Sequence, residues 1–294
     1  MRGMTFPLSA ELILALSALH PDQITIEVVA ETGSTNADLL ARIQAPHAAA
    51  APIKPTLRIA EQQTAGRGRA GRTWLSAPGA ALMFSLAWHF EQPLQKLVGL
   101  PLAVGVAMVT ALNTYLVQAS GAPLAYPTDH GIRLKWPNDL LLNGAKLGGI
   151  LIETAHGASQ ELHNAPSSWA VIGVGINIAL PTEMQQQLGR SVANLPLPPA
   201  AEFDRNLLMA TLLRSLRQTL TEFEQQGLAP FVPQWNQLHA YAGQQVIILD
   251  QGKVLHEGTA LGIDEIGRFL LQTSPDARPI AIMAGDISLR AKEE

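Results

Sequence analysis

The stretch Gly66-Arg67-Gly68-Arg69-Ala70-Gly71-Arg72-Thr73-Trp74, GRGRAGRTW in one-letter code, alternates glycines with arginines and shows no apolar period. Glycine lets the backbone approach a ligand closely and adopt a positive φ. The arginine guanidinium offers planar donors that pair with carboxylate and phosphate oxygens. A segment with both properties is expected to fold over an anionic ligand.

Other interpretations of residues 66–74 remain open from composition alone. The segment is also typical of a solvated basic loop, or of a Gly/Arg element that binds RNA, although it lacks interleaved aromatic residues. The spacing Gly66-x-Gly68-x-x-Gly71 imitates a dinucleotide-binding fingerprint, but arginines fill the gaps and no acidic ribose partner is evident on a following strand. The Walker A ending Gly-Lys-Ser/Thr is absent.

A second polar segment is Lys135-Trp136-Pro137-Asn138-Asp139. Its proline interrupts regular structure, so Asn138 and Asp139 are expected at a turn beside a strand end. Polar side chains that a rigid sheet holds in such a place are often functional. A local Asx turn explains the same residues equally well.

Two further features lie in apolar strands. Lys146 precedes one of them, where its side chain either extends to solvent or reaches a phosphate. The run Gly173-Val174-Gly175-Ile176-Asn177 places glycines inside another strand, which indicates either a bulge or the close approach of a second backbone or a ligand.

The composition sets limits on the class of protein. The chain has 294 residues, of which 47% are hydrophobic and 15% charged, as in a folded protein with a sizeable core. A net charge of -4 gives no general attraction to nucleic acid or anionic membranes. The absence of cysteine excludes disulfides, thiolate metal sites and cysteine nucleophiles. Ser9 and Glu11 interrupt the apolar N-terminus, so no secretory signal is expected and we predict a cytoplasmic location.

Helices are predicted over residues 5–20, 97–118 and 204–225, the last from leucines at helical spacing, with a short helix to about 238. The apolar run from Leu97 to Leu112 is shorter than the roughly 20 residues that a membrane span requires, and it contains Pro101. We therefore predict a buried core helix and no membrane partner. A helix cap is expected at Ser34 or Thr35, with Asp38 completing a capping box from Thr35.

Strands are predicted at 24–29, 57–60, 80–88, 132–135, 140–142, 146–153 and 169–178, with a hairpin turn at Asn143-Gly144. The composition changes near residue 240. Short strands at 246–250, 254–262, 269–272, 280–283 and 287–289 then predict a small β barrel. The sequence therefore predicts an α+β protein with domains at 1–239 and 240–294.

The order and spacing of these segments resemble the biotin protein ligases over about residues 25–294. The series comprises Ser34-Thr35-Asn36, Glu61 to Trp74, Lys135 to Asp139, Lys146 to Glu153, Gly173 to Asn177 and Gly285 to Arg290. The resemblance implies a biotin/lipoyl ligase-like catalytic domain with a mixed sheet and flanking helices, followed by an SH3-like barrel. Some members of that family begin with a winged-helix DNA-binding domain. Only about 24 residues precede the first predicted strand here, so we expect a ligase without DNA binding.

The resemblance also implies two half-reactions. The biotin carboxylate attacks the α-phosphate of ATP, giving biotinyl-5′-AMP and pyrophosphate, with Mg²⁺ as the expected cofactor. A lysine amine of a biotin carboxyl carrier protein, part of acetyl-CoA carboxylase or a related carboxylase, then attacks the mixed anhydride and releases AMP. Two alternatives stay open: a lipoate or octanoate ligase or transferase of the same fold, and an RNA- or DNA-binding module that uses the Gly/Arg loop. The sequence also leaves open whether the protein forms a homodimer through the edges of its sheet.

Family position assigns the site residues. The expected catalytic residues are Arg69, Lys146 and Asp139, and Asp139 is also a candidate metal ligand. The expected biotin site comprises Ser34, Thr35, Asn36, Gln63, Gly66, Arg67, Gly68, Arg69, Lys146 and Gly149. The expected ATP site comprises Arg69, Arg72, Trp74, Asn138, Lys146, Asn177 and Arg290.

Three finer expectations follow from these assignments. Ser34, Thr35 and Gln63 are expected to bind the ureido ring of biotin, because they supply both donors and acceptors. Trp74 is expected to stack on adenine. Residues 64–73 have little apolar surface to bury, so we expect them to be mobile until the ligand orders them. The loops at 45–55 and 155–168 receive no role.

Overall fold

The computed structural model describes residues 7–45, 54–120, 130–155, 167–189, 191–197, 203–250, 252–284 and 287–292. The predicted loops at 45–55 and 155–168 lie largely outside the described residues, as do Gly285 and Asp286.

The larger sheet has seven strands, which are β1 Thr25–Thr32, β2 Thr56–Gln63, β3 Ala81–Phe90, β4 Ile132–Lys135, β5 Asp139–Leu142, β6 Ala145–Ala155 and β7 Ser168–Asn177. Their order across the sheet is β1-β2-β3-β7-β6-β5-β4. Strands β1 and β2 are parallel, and every other neighbouring pair is antiparallel. The mixed sheet that the resemblance implied is confirmed.

The sequence of each strand explains its place. Every residue of β7 is buried, which suits a valine-, isoleucine- and glycine-rich strand at the centre of the sheet. The β5–β6 hairpin turns at Asn143 and Gly144, whose φ values are 49° and 81°. Positive φ at both residues is the signature of a type I′ turn, so the predicted hairpin is confirmed.

Six α-helices lie among the described residues: α1 Ala10–Ser17, α2 Thr35–Gln44, α3 Leu100–Ala119, α4 Thr182–Gln187, α5 Arg205–Gln226 and α6 Val232–Gln237. Leu39 and Ile43 of α2 pack with Trp169 and Val171 of β7. Helices α3 and α5 pack against each other and belong to the main core. The sequence did not predict α4, because TEMQQQ is short and lacks an apolar period.

Helix α3 has the length and composition of a membrane span, yet 78% of its apolar window is buried inside the protein. Leu112 and Tyr115, for example, are fully buried. The predicted core helix is therefore confirmed.

The capping of α2 differs in part from the prediction. Ser34 is the N-cap, and its hydroxyl accepts a hydrogen bond from the Ala37 N–H at 3.4 Å. The predicted capping box between Thr35 and Asp38 is wrong, because Thr35 already lies inside the helix. The Asp38 carboxylate instead accepts from Thr32 Oγ1 at 2.6 Å and from Arg58 Nε at 2.7 Å.

The C-terminal sheet is antiparallel and has five strands: β8 Gln245–Asp250, β9 Lys253–Ile263, β10 Phe269–Gln272, β11 Ile280–Ile282 and β12 Ile287–Ala291. Their order is β11-β10-β9-β8-β12, and this small β domain agrees with the predicted SH3-like unit. The domain boundary between residues 239 and 240 stays a prediction.

Asn236 and Trp136 attach this sheet to the larger part of the protein. The Asn236 amide accepts from the Ile263 N–H at 2.8 Å and donates to the Ile263 carbonyl at 3.2 Å. Trp136 Nε1 donates to the Gly267 carbonyl at 3.2 Å, and its ring lies 5.5 Å from that of Phe269. Trp136 belongs to the Lys135 to Asp139 segment, so this segment is anchored to the C-terminal sheet by one buried side chain.

Candidate active site

One pocket gathers most of the predicted site residues. Its walls come from the start of α2, the loop 66–74, the β4–β5 turn, and strands β6 and β7, and Leu289 of β12 completes them. The predicted residues that line it are Ser34, Thr35, Asn36, Gln63, Arg67, Gly68, Arg69, Arg72, Trp74, Asn138, Asp139, Lys146 and Gly149. Segments more than 100 residues apart in sequence thus form one site.

Gly66, Asn177 and Arg290 do not line this pocket. The Asn177 amide donates to the carbonyl oxygens of Lys146 and Ala193, both at 3.1 Å, so it fixes the start of β6. Arg290 is exposed on β12. Gly66 is buried and lies against the backbone of the loop. A Cβ atom on it would stand 2.5 Å from the Trp74 carbonyl oxygen. The geometry gives no support to the predicted ligand contacts of these three residues.

The charge of the described lining is strongly positive. Its cationic side chains are Arg67, Arg69, Arg72, Lys135 and Lys146, and its one carboxylate is Asp139. A partly enclosed site with this excess of positive charge attracts and stabilises polyanions.

The Gly/Arg loop has a defined backbone path. The Trp74 N–H donates to the Gly66 carbonyl at 2.9 Å, and the Gly68 N–H donates to the Arg72 carbonyl at 2.7 Å. Ala70 and Gly71 make the turn at positive φ, 52° and 69°. The loop is thus a small hairpin with hydrogen bonds of its own, and its predicted mobility without ligand stays a prediction.

Glycines in β6 and β7 make room for two large side chains. A Cβ atom on Gly175 would lie 2.6 Å from the Trp74 ring, and one on Gly173 would lie 2.3 Å from Asn36 Oδ1. On Gly149 it would lie 3.5 Å from the same indole. The glycines therefore mark a close approach, but the approaching groups are the side chains of Asn36 and Trp74 and not the second backbone or ligand that the sequence predicted.

A chain of hydrogen bonds forms the neutral part of the pocket. The Thr35 N–H donates to Gln63 Oε1 at 2.8 Å, and Ser85 Oγ lies 2.6 Å from Thr35 Oγ1 and 2.5 Å from Asn36 Oδ1. Asn36 Nδ2 donates to the Leu151 carbonyl at 3.3 Å, so Oδ1 must accept from Ser85. The single hydroxyl hydrogen of Ser85 faces Asn36 Oδ1 and Thr35 Oγ1, and the Thr35 hydroxyl donates to Gln63 Oε1 at 3.2 Å.

The charged part of the pocket is built around the β4–β5 turn. The Lys146 ammonium group forms an ion pair with the Asp139 carboxylate, and their side chains are only 16% and 19% exposed. Arg69 Nη1 donates to Asn138 Oδ1 at 3.1 Å, and Asn138 Nδ2 donates to the Ile150 carbonyl at 2.7 Å. These charges are sheltered from solvent, so salt screens them weakly.

Among the described residues that line the pocket, Asp139 is the one carboxylate that could bind a metal ion. The described residues contain no cluster of three or more His, Cys, Asp or Glu side chains. Mg²⁺ commonly uses one or two carboxylates together with substrate phosphates. Asp139 beside a polyanion would satisfy that requirement, so the donor set fits Mg²⁺ brought in with a nucleotide.

Near the pocket, His239 is 4% exposed and stacks on Trp235 with ring centroids 5.0 Å apart. Neither ring nitrogen has a hydrogen-bond partner among the described residues. Burial lowers the pKa of His239 to about 4, so the ring is neutral near pH 7. Burial also raises the pKa of Tyr241, and the nearby Asp139 carboxylate adds to that effect.

The sequence reasoning missed Ser85, Glu153 and Leu289. Ser85 is the one polar residue in the apolar run from Ala81 to Trp88, and that signal was available. Glu153 ends an apolar stretch of β6, where its partners are not visible from sequence. Leu289 gives no signal at all, because it is an ordinary apolar residue of a strand.

Two family models match the chain. The biotin/lipoate A/B protein ligase family matches residues 35–177, and the biotin protein ligase C-terminal domain matches residues 241–290. The bifunctional ligase/repressor BirA of Escherichia coli K12 is 35% identical over 298 residues, covering 100% of this chain and 83% of that protein. A biotin–[acetyl-CoA-carboxylase] ligase of Mycobacterium tuberculosis is 33% identical over 263 residues, covering 89% and 88%.

Solved structures agree in fold. Biotin protein ligase from Aquifex aeolicus in complex with biotin and ATP has a TM-score of 0.63 at 24% identity, covering 91% of this chain and 99% of that one. Biotin protein ligase from Leishmania major in complex with biotinyl-5-AMP has a TM-score of 0.55 at 23% identity, covering 90% and 100%. With both domains matched in order and with relatives above 30% identity over most of their length, the chain belongs to the biotin protein ligase family.

Proposed function

We propose that this protein activates biotin with ATP to form biotinyl-5′-AMP and transfers the biotinyl group to a lysine of a biotin carboxyl carrier protein. The observation that carries the proposal is one pocket that joins a neutral hydrogen-bonding wall to a cluster of sheltered cations. Relatives named as biotin–[acetyl-CoA-carboxylase] ligases support the reaction and the acceptor.

The neutral wall suits the ureido ring of biotin. That ring presents two N–H donors and one carbonyl acceptor, and a pocket that buries it must satisfy all three. Thr35 gives its hydroxyl hydrogen to Gln63 Oε1, so an oxygen lone pair is the group that accepts a ligand N–H. Gln63 accepts through Oε1 from Thr35, which leaves its Nε2 group as a donor for the ligand carbonyl.

The cationic part suits adenylation. A carboxylate oxygen of biotin attacks the α-phosphorus of ATP, a new O–P bond forms, and the bond to the pyrophosphate oxygen breaks. Repulsion between the carboxylate and the phosphates opposes this approach. Lys146 and Arg69 offset it, because their charges are already fixed by Asp139 and Asn138 before the reaction. Mg²⁺, held by ATP phosphates and Asp139, would supply further positive charge.

Transfer completes the cycle. A neutral lysine amine of the carrier attacks the acyl carbon of the anhydride, AMP leaves with the electron pair of the acyl–oxygen bond, and the nitrogen releases one proton to solvent as the amide forms. We assign Asn138 and Asp139 to orienting that amine, since both lie on the turn that borders the pocket.

Several coarser features belong to the same proposal. The net charge of -4 supports action without DNA binding, although the relative in Escherichia coli is named a repressor as well as a ligase. The absence of cysteine and the burial of α3 suit a cytoplasmic enzyme. Strand β1 is an edge strand of the larger sheet, so a homodimer through this edge stays a prediction.

The alternatives have less support. The first family model includes lipoate ligases, but the C-terminal model is that of biotin protein ligases, and the relative in Mycobacterium tuberculosis is named a biotin ligase. A nucleic-acid module would present its arginines on an open surface. Here Arg67 is paired with Glu153 and Arg69 with Asn138.

One assay tests the proposal directly. The purified protein is mixed with ATP, Mg²⁺ and labelled biotin, and the expected product is acid-labile biotinyl-AMP that labels added carrier domain. Lipoate and octanoate in place of biotin are the matched controls. Labelling with lipoate but not biotin, or no adenylate with any of the three acids, would contradict the proposal.

A further inference from the structure

Glu153 of β6 closes a ring of polar contacts that begins and ends on the segment carrying the Gly/Arg loop. One carboxylate oxygen accepts from Arg67 Nη2, and the other accepts from Asn36 Nδ2 at 2.9 Å. From Asn36 the contacts continue through Ser85 and Thr35 to Gln63 at the end of β2. The loop is thus tied both where it leaves the sheet and at its first arginine.

The chemistry of this position requires a carboxylate. Glu153 lies between two donors, the Arg67 guanidinium and the Asn36 amide, and only a group with two acceptor oxygens satisfies both. A glutamine of the same shape has one oxygen, so its NH₂ group must face one of the two donors. An aspartate is shorter by one methylene group than the side chain that spans the two donors here.

The same pairing divides the arginines of the loop into two groups. Arg67 is neutralised by Glu153, whereas Arg69 contacts the uncharged Asn138 side chain beside Lys146. Glu153 offsets the charge of Arg67 as Asp139 offsets that of Lys146, and the two pairs lie on different sides of the pocket. The place of Arg67 is next to the neutral wall of Thr35, Asn36 and Gln63.

We propose that Glu153 is a positioning residue for biotin: it holds Arg67, and with it the start of the Gly/Arg loop, against the neutral wall of the pocket. This inference rests on the proposed function for its substrate, but the tethering itself does not. Glu153 acts through Arg67 and Asn36, which both line the pocket away from the Lys146–Asp139 pair, so it sets the affinity for biotin and leaves the phosphate chemistry at Lys146 and Arg69 unchanged.

The ion pair contributes little to global stability. The side chains of Arg67 and Glu153 are 42% and 24% exposed, and pairs of this kind add little to the free energy of unfolding. Glu153→Gln should therefore keep its thermal midpoint within about 3 °C of wild type. A change in biotin binding then reports on loop position rather than on unfolding.

The first test needs no catalysis. Trypsin cleavage after Arg67, Arg69 and Arg72 in the ligand-free protein measures how often the loop opens, with the cut sites read by mass spectrometry. Glu153→Gln should raise the cleavage rate by roughly three- to fivefold. The matched control is Glu27→Gln, since Glu27 also accepts from two partners, Arg42 and Arg58, each at 2.7 Å, but lies outside the pocket.

The second test uses steady-state adenylation in wild type, Glu153→Gln, Arg67→Gln and the double variant. Glu153→Gln should raise the biotin KM about tenfold, with kcat and the ATP KM within about twofold. The effects of the two substitutions should be less than additive, because once Arg67 is gone Glu153 acts only through its second contact, Asn36.

The outcomes separate the two proposals. A wild type that makes no biotinyl-AMP overturns the proposed function, and the trypsin comparison still decides the tethering. Equal cleavage in Glu153→Gln and wild type, or equal acceleration in Glu27→Gln, overturns the tethering. An unchanged biotin KM, or additive effects of Arg67→Gln and Glu153→Gln, overturns the positioning role.

Discussion

The indole ring of Trp74 lies against Gly175 so closely that a Cβ atom on this glycine would stand 2.6 Å from ring atoms Cε2 and Cζ2. Gly175 pairs with Gly149 across β6 and β7, and Gly149 lies under the same ring. The two glycines form a flat surface on which the indole rests. The position of Trp74 therefore depends on the absence of side chains at Gly175 of β7 and Gly149 of β6.

Gly175→Ala should displace Trp74 while leaving the backbone of β7 in place, because φ at Gly175 is not positive. The added methyl group forces either ring movement or overpacking, which costs about 1–3 kcal/mol. If Trp74 stacks on adenine, as the sequence predicted, the ATP KM should rise more than the biotin KM. Gly33→Ala is the control, since a Cβ atom there meets nothing within 4 Å. Equal changes in both KM values would contradict this role.

Lys146→Ala should slow formation of biotinyl-AMP by at least tenfold. One fixed charge on a developing polyanion is worth roughly 3 kcal/mol, and the substitution also leaves Asp139 without its cation. Rapid-quench measurement of adenylate formation checks this prediction. Lys292→Ala removes a lysine from an exposed pair with Glu257 and should leave the rate unchanged.

Arg69→Gly should speed the release of pre-formed biotinyl-AMP. It removes the contact to Asn138 and a cation of the proposed phosphate site, while the wall formed by Thr35 and Gln63 stays intact. Released adenylate should then label exposed lysines on bystander proteins. Dissociation is measured by dilution into unlabelled ligand.

Amide exchange across residues 64–73, with and without biotin and ATP, tests the predicted ordering of the loop. A loop that exchanges equally slowly in both states would show that the arginines act only as fixed charges.

Stability should fall with acid because of His239. Its pKa is about 4 in the folded protein and about 6.5 when unfolded, so between these values only the unfolded state takes up the proton. The loss of stability on going from pH 6.5 to 4 is on the order of 3 kcal/mol. Urea unfolding of His239→Phe, which keeps an aromatic ring on Trp235, should show a smaller loss over that window. Parallel curves for the two proteins would remove His239 as the cause.

Local signals in the sequence predicted the local structure well. The Asn143-Gly144 turn and the leucine spacing of α5 need no distant partner, and both are confirmed. The capping box at Asp38 failed because Arg58, 20 residues further along the chain, takes the carboxylate. A propensity rule for one helix end contains no information about such a competitor.

In the candidate site, too, the local features were predicted from the sequence and the distant contacts were not. Family spacing identified the pocket-lining residues from Ser34 to Gly149, but it did not identify what holds them. Glu153 and Arg67 are 86 residues apart, and only the sheet order brings them together. Asn177 and Arg290 match the family series and still lie outside the pocket. The position of a residue in a motif predicts that it lies near the pocket, whereas its own hydrogen bonds decide whether its side chain faces the pocket.

The central position of β7 in the sheet has a consequence for how the chain folds during synthesis on the ribosome. Strands β1 to β3 and strands β4 to β6 form two groups of sequential neighbours, and β7, the last of the seven to be synthesised, is the only strand that joins them. Until residues 168–177 emerge, β3 and β6 each expose an unpaired apolar edge, a state that favours aggregation. Ser85 lies on one side of this seam and Glu153 on the other, so the pocket does not exist in the nascent chain before β7 is inserted.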